Sequence, residues 1–349
     1  RSILLVSSLP WSATGWLLPT ATTTIGMKRM VVQPDYRTFT HLPYKSNNSN
    51  DVVRGVSDSE ATTIPSELTS SSQNNKQPQN PNQPSIVQSV NYFISRKCNY
   101  HCQFCFHTAK TSHHLSVEDA QRGLRLLAEA GTQKINFAGG EPYLHPLLLG
   151  DLCYYASNEL GMAVSIISNG SLITPEWMKY YGHYVDVLGV SVDSFDDQTN
   201  IKIGRSSSSS SPATPGVQGN NNKKIQHVDQ MLRVRSWCDQ HNIKFKLNTV
   251  VCSHNWQEDM VEKILELEPS RWKVFQVLLL DQENTGASSE SLRDARRLVV
   301  TPQQFQSFVD RHQPFVPQLI PEDNTVMQNS YLLLDEELRF LDCSQGGKV

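Results

Sequence analysis

The chain has 349 residues, a formal net charge of −3 and seven cysteines. A charge so close to neutral gives no basis for general nucleic-acid binding, so any anion site must come from local placement of Lys and Arg. The cysteine number is odd and three are crowded into residues 98–105, which excludes a disulfide framework and points to metal in an intracellular protein.

Mean hydropathy is −0.41, low for a chain folded throughout. No stretch of about 20 apolar residues is present, so no transmembrane segment is expected. The first thirty residues lack Asp and Glu and are rich in Ser and Thr, as in a transit peptide, although Arg is scarce and Pro10 interrupts any helix. Residues 45–86 are dominated by Ser, Asn, Gln, Pro and Thr and cannot bury enough apolar surface to fold. Residues 1–86 are therefore expected to be a disordered or targeting region.

From Ser89 the pattern becomes regular. Strand-like runs recur at SVNYFIS (89–95), KINFAG (134–139), AVSIIS (163–168), DVLGVSV (186–192), KFKLNTVV (244–251) and WKVFQVLLL (272–280). Helix signals lie between them. Ser116 caps VEDAQRGLRLLAEA and Gly131 ends it, Thr174-Pro175 starts a second helix, and residues 225–241 carry an apolar face. A further helix is expected over 256–268, stopping before Pro269, and Thr301-Pro302 opens another. SSSSSSPATPGVQGNNNKK (206–224) interrupts the pattern as a surface-loop insertion. Strand and helix alternate about six times, the signature of a parallel α/β domain, open or closed into a barrel. Ligands then gather at the carboxyl ends of the strands.

The segment RKCNYHCQFCFHTAK follows the first strand at that end. Cys98, Cys102 and Cys105 with His107 supply four ligands for zinc. Alternatively, three cysteines hold a four-iron cluster and leave one iron open. The second strand ends in NFAGGEP (136–142), where Gly139 and Gly140 allow close approach of a ligand and Glu141 offers an acceptor to an ammonium group. Taken alone, such a turn is an ordinary strand-to-helix connection. The third strand ends in SNGS, with Ser168 and Asn169, and the fourth carries Ser191 and Asp193. Residues two apart share a strand face, so Lys246 pairs with Asn248 and Arg271 with Lys273 on adjacent strands. Lys134 begins the second strand, and Asn91 on the first can join them. Cations gathered inside a barrel are costly to desolvate without an anion; at strand ends they are otherwise solvated edge residues. Cys153, Cys238, Cys252 and Cys343 are scattered and read as buried thiols.

The cysteine spacing, GGEP and the polar fourth-strand end resemble the radical S-adenosylmethionine (radical SAM) superfamily. CNYHCQFCFHTAKTS, KINFAGGEP, SNGSLI, DSFDDQTNIKIGR, RWKVFQVLLL and SYLLLDEELRFLDC, in that order over 89–343, resemble the viperin family of nucleotide dehydratases within it. The resemblance implies a partial (β/α)6 barrel of TIM type over residues 87–343. It implies a [4Fe–4S] cluster on Cys98, Cys102 and Cys105, with His107 outside the ligand set. It also implies S-adenosylmethionine on Gly139, Gly140, Glu141, Ser168, Asn169, Ser191 and Arg205. Asn91, Lys134, Lys246, Asn248, Arg271 and Lys273 would bind a nucleoside triphosphate, CTP or UTP. A 5′-deoxyadenosyl radical would take its 4′ hydrogen, and Tyr331 would pass a hydrogen atom or electron to the substrate radical. Ala138 stands where the family often has serine. Residues 344–349 read as a truncated C-terminal tail, a part that in the family helps close the site. The implied partners are an electron donor and cytosolic iron–sulfur assembly machinery, the implied location is cytoplasmic, and antiviral defence is the family's biological setting. A peptide-modifying radical SAM enzyme and a non-catalytic iron–sulfur protein are the alternatives.

Overall fold

A computed structural model describes residues 88–205, 227–287, 289–327 and 330–341. The expected N-terminal region 1–86, the insertion 206–224, Cys343 and the tail 344–349 lie outside the described residues.

The elements follow one another as β1 (Ser89–Phe93), α1 (Val117–Glu129), β2 (Lys134–Ala138), α2 (Pro146–Tyr154), β3 (Ala163–Ser168), α3 (Pro175–Tyr181), β4 (Val187–Ser191), α4 (Asp197–Ile203) and α5 (His227–Gln240). There follow β5 (Lys244–Val251), α6 (Val261–Leu267), β6 (Arg271–Gln276), α7 (Pro302–His312), β7 (Leu319–Glu322), β8 (Leu333–Leu334) and β9 (Phe340–Leu341). The expected caps are in place. Ser116 accepts from the Asp119 N–H, Thr174 from the Trp177 N–H, and Thr301 forms a capping box with Gln304. Gly131, just past α1, has a φ of 91°, the left-handed turn that ends a helix.

Two expected boundaries move for local reasons. The helix expected from 256 begins only at Val261, because the Asn255 side chain first organises a turn. Its Oδ1 accepts from the Cys252 N–H at 2.7 Å, while its Nδ2 donates to the carbonyls of Asp193 at 2.7 Å and Val250 at 2.9 Å. The strand expected to reach 280 stops at Gln276, and the Leu280 N–H is taken by Asn284 Oδ1 at 2.8 Å.

The strands form one sheet in the order β7-β6-β5-β4-β3-β2-β1-β8-β9. All neighbours are parallel except β8 and β9. The order runs from β7 to β9 without closing, which is the partial barrel the resemblance implied, extended by three strands that the hydrophobic runs did not disclose. The two faces differ because successive side chains alternate. Val90, Tyr92, Ile135, Phe137, Val164, Ile166, Leu188, Val190, Phe245, Leu247, Trp272 and Val274 are buried in one core with Leu124, Leu149, Met178, Met231 and Phe308 from the helices. The alternate positions carry Asn91, Asn136, Ser165, Ser191, Lys246, Asn248 and Lys273, so the face away from the helices is polar.

Candidate active site

The cysteine segment leaves β1 and is stitched by backbone to the ends of two other units. Gly140 N–H donates to the Ser95 carbonyl and Glu141 N–H to the Lys97 carbonyl, both at 2.8 Å. Farther along, His101 N–H donates to the Gly204 carbonyl at 3.0 Å and Gln103 N–H to that of Ile203 at 2.9 Å. A Cβ on Gly139 would lie 2.4 Å from the Ser95 carbonyl oxygen, and one on Gly140 2.1 Å from that of Lys97. The two glycines thus permit a close approach of the chain's own cysteine loop. Gly204, with φ 84°, does the same at the end of α4, where a Cβ would meet the His101 carbonyl oxygen at 2.4 Å.

Cys98, Cys102 and Cys105 are free and half-buried. Burial pushes all three thiols up, Cys98 to about 11 and Cys105 to about 12; neighbouring cysteines add to the rise at Cys98 and Cys105, and Asp193 adds to it at Cys102. Metal or cluster binding must therefore displace protons. The His107 ring packs on Phe93 with centroids 4.3 Å apart, while its backbone N–H bonds to Cys105. Among the described residues no three His, Cys, Asp or Glu side chains close around a single metal ion. A four-iron cluster makes a different demand, since each thiolate serves a different iron. Cys153 and Cys238 are buried in the main core, and Cys252 lies in a small apolar cluster against which Cys102 packs.

Glu141 is the hub between the ends of β2 and β3. One carboxylate oxygen accepts from Ser168 Oγ at 2.7 Å and Tyr143 N–H at 3.1 Å, and the other from Asn169 N–H at 2.7 Å. Burial raises its pKa against the lowering effect of those donors. Asn169 Nδ2 continues to Asn99 Oδ1 at 2.8 Å, and Asn99 Nδ2 to Ser171 Oγ at 2.9 Å, so the cysteine loop is tied here as well. Arg205 ion-pairs with the fully buried Asp193 and donates weakly to the Ser191 carbonyl at 3.4 Å. Burial works against the Arg205 charge, and Asp193 more than offsets it. Glu141 raises and Arg205 lowers the Cys98 thiol, so both charges lie near the cysteine loop.

A second group lies on the polar face. Lys246 is in register with Arg271, and Asn248 with Lys273 and Ser191. Burial lowers Lys246 to about 7, with Lys273, Lys134 and Arg271 adding to the effect. Lys134 is lowered by burial and then by Arg271 and Lys273. The four cations therefore face a common space, and among the described residues Lys134, Lys246 and Arg271 have no ion-pair partner. Asn248 Oδ1 is buried without a hydrogen-bond partner. Asn91 faces the same side, beside Asn136 and Leu333, with β2, β3 and β4 between it and β5.

Tyr331 joins this group. Its hydroxyl accepts from Lys273 Nζ at 2.8 Å and donates to Glu322, which also pairs with Lys273. Burial and the Glu322 carboxylate push the phenol far above its ordinary value. Glu322 was missed from sequence because LIPE is a short strand with Pro321 inside it, and its only signal is the two-residue period that puts it on the face of Ile320.

Comparison with known proteins decides the family. The model of the radical SAM superfamily matches residues 92–268. The chain is 50% identical over 263 residues to the S-adenosylmethionine-dependent nucleotide dehydratase RSAD2 of Danio rerio, covering 74% of this chain and 68% of the relative.

The chain belongs to the radical SAM nucleotide dehydratases.

A dehydratase of the archaeon Thermoplasmatales ISO4-H5 is 34% identical, covering 72% of this chain and 82% of its own. The radical SAM fold is also seen in Streptococcus suis SuiB bound to its precursor peptide. That structure has a TM-score of 0.56 at 14% identity and covers 74% of this chain and 59% of its own. The superfamily match takes in the cysteine loop, the GGEP turn and β2 to α6. Arg271, Lys273, Glu322 and Tyr331 of this dehydratase lie beyond it.

Proposed function

We propose that the chain dehydrates CTP or UTP to the 3′-deoxy-3′,4′-didehydro nucleotide. The observation that carries this is the convergence of Lys134, Lys246, Arg271 and Lys273 on the polar face of the sheet, with Lys246 lowered to about 7 by burial and by the other three. Such a cluster calls for a polyanion, and a triphosphate matches it.

The three free thiols of one loop, with no fourth cysteine in that loop, fit a [4Fe–4S] cluster with one open iron. Glu141, Ser168, Asn169, Ser191 and Arg205 surround the adjoining space, where the amino and carboxylate groups of S-adenosylmethionine would sit. When bound, the two groups would supply a 5′-deoxyadenosyl radical able to take the 4′ hydrogen. The protein's part is to hold C4′ at the right distance and exclude water. The cations anchor the phosphates, Asn248 has an unused acceptor for a donor on the nucleotide, and Tyr331 stands beside the phosphate end of the site. Loss of the 3′ hydroxyl as water, with uptake of one further electron and one proton, completes the product. An electron donor is therefore a required partner, and the cytosolic iron–sulfur assembly machinery is the source of the cluster.

The test is anaerobic assay of 5′-deoxyadenosine with CTP, with UTP and with no nucleotide. Faster formation with a pyrimidine nucleotide supports the proposal. Equal rates in all three show that the substrate assignment is wrong.

A further inference from the structure

Two residues before Cys98 the chain buries an arginine that the proposed chemistry does not use. Arg96 is 4% exposed. Its Nε donates to Glu336 at 3.2 Å, and its Nη1 to Glu283 at 3.1 Å and to the Thr108 carbonyl at 3.2 Å. Glu283 also accepts from the Thr108 hydroxyl at 3.0 Å and its N–H at 3.3 Å, and pairs with Lys110 at 3.3 Å. Arg96 at the start of the cysteine segment thus reaches both carboxylates, and Thr108 and Lys110 at its end reach Glu283.

Those carboxylates come from distant parts of the chain. Glu283 lies in the loop after β6. Glu336 lies in the turn between β8 and β9, a hairpin whose first strand adds to β1 through Asn91 opposite Leu333. The same turn is seated on α1, where a Cβ on Gly123 would meet Leu338 Cδ1 at 2.2 Å. The second carboxylate oxygen of Glu336 is buried without a hydrogen-bond partner, so this side chain depends on the arginine side. Burying Arg96, Glu283 and Glu336 together is a poor way to gain stability, since apolar residues of similar size do as well or better. What such a network does supply is one defined geometry.

We propose that Arg96 is a positioning residue through which the β8–β9 hairpin and Glu283 set the conformation of the loop carrying Cys98, Cys102 and Cys105. The inference rests on the cluster assigned above to those cysteines. It gives the hairpin a role in cluster retention rather than in substrate contact.

The test uses the full chain, reconstituted anaerobically with iron and sulfide, as wild type, Arg96→Lys, Glu336→Gln and Val316→Ala. Val316 is fully buried beside β7, on the far edge of the sheet, and serves as a destabilised control. The readouts are the rate at which a chelator strips iron, the electron paramagnetic resonance spectrum of the reduced protein before and after addition of S-adenosylmethionine, and the thermal midpoint. Arg96→Lys keeps the charge and loses the fork, and Glu336→Gln keeps the shape and loses the charge. Both are expected to release iron about tenfold faster, as for residues that orient metal ligands, with altered spectra. Val316→Ala is expected to lower the midpoint and release iron at the wild-type rate. Iron loss that simply follows the midpoint across all variants, or unchanged loss in Arg96→Lys and Glu336→Gln, overturns the inference. Wild type that takes up no iron and sulfide refutes the cluster assignment itself, and this inference with it.

Discussion

Lys273 donates to the phenol oxygen of Tyr331 at 2.8 Å, and that phenol in turn donates to Glu322. A cation of the basic face is therefore joined to the one tyrosine that the family resemblance places in the chemistry. The phenol stays protonated, because burial and Glu322 both raise it.

Tyr331→Phe removes that hydroxyl and leaves the Lys273–Glu322 pair in place. Product formed per 5′-deoxyadenosine is expected to fall about a hundredfold, the scale of a lost proton- or hydrogen-transfer group. Nucleotide affinity and the thermal midpoint should barely move. The two products, quantified by mass spectrometry in single turnover, check this. An unchanged ratio assigns Tyr331 to packing alone.

Lys246 predicts a proton linkage. Its pKa in the free protein is lowered to about 7, against about 10.4 in an unfolded chain. The unfolded state thus binds more protons between those values, and the free protein gains stability as pH rises through that window. An adjoining triphosphate favours the ammonium form and raises the pKa again. At pH 8 nucleotide binding should take up to one proton, and at pH 6 none. Titration calorimetry in buffers of different ionisation enthalpy reads this directly. Lys246→Met should stabilise the free protein near pH 7, abolish the uptake and weaken CTP binding about 10- to 100-fold, the loss of one charge-assisted bond.

Glu141→Gln tests the hub at the strand ends. The carboxylate accepts from Ser168, Asn169 and Tyr143, and an amide group turned toward any of these donors leaves it unpaired. The expected cost is about 1–3 kcal/mol, seen in denaturant unfolding of the cluster-free protein. Glu141→Asp, too short to reach both strands, should also lose stability, whereas an unchanged midpoint in both variants would remove Glu141 from its bridging role.

Gly140→Ala puts a methyl group where the Lys97 carbonyl oxygen stands, 2.1 Å away. The neighbour is backbone and cannot turn aside. Overpacking of this kind costs about 1–3 kcal/mol, and here the strain falls on the segment leading into Cys98. Reconstituted Gly140→Ala should hold less iron per chain than wild type. A full iron complement measured by elemental analysis would contradict this.

Much of this site was legible because parallel strands repeat with a period of two. Lys246 with Asn248 and Arg271 with Lys273 follow from that period alone, and the register then places Lys246 opposite Arg271. The caps at Ser116, Thr174 and Thr301 are local chemistry and equally readable. What escaped is what depends on distant chain. β8 and β9 are two residues each, too short for any hydrophobic pattern. Arg96 looks like a solvated residue until Glu283 and Glu336 arrive from 187 and 240 positions away. Gly139 and Gly140 were visible, but which backbone they admit was not, because the Ser95–Lys97 segment meets them only in the folded sheet.

The most direct test of the central claim is isotope transfer from CTP or UTP deuterated at C4′. Anaerobic turnover is expected to leave deuterium in 5′-deoxyadenosine and to give a nucleotide that has lost that deuterium together with its 3′ hydroxyl. 5′-Deoxyadenosine without deuterium, formed at the same rate when nucleotide is omitted, would contradict the claim.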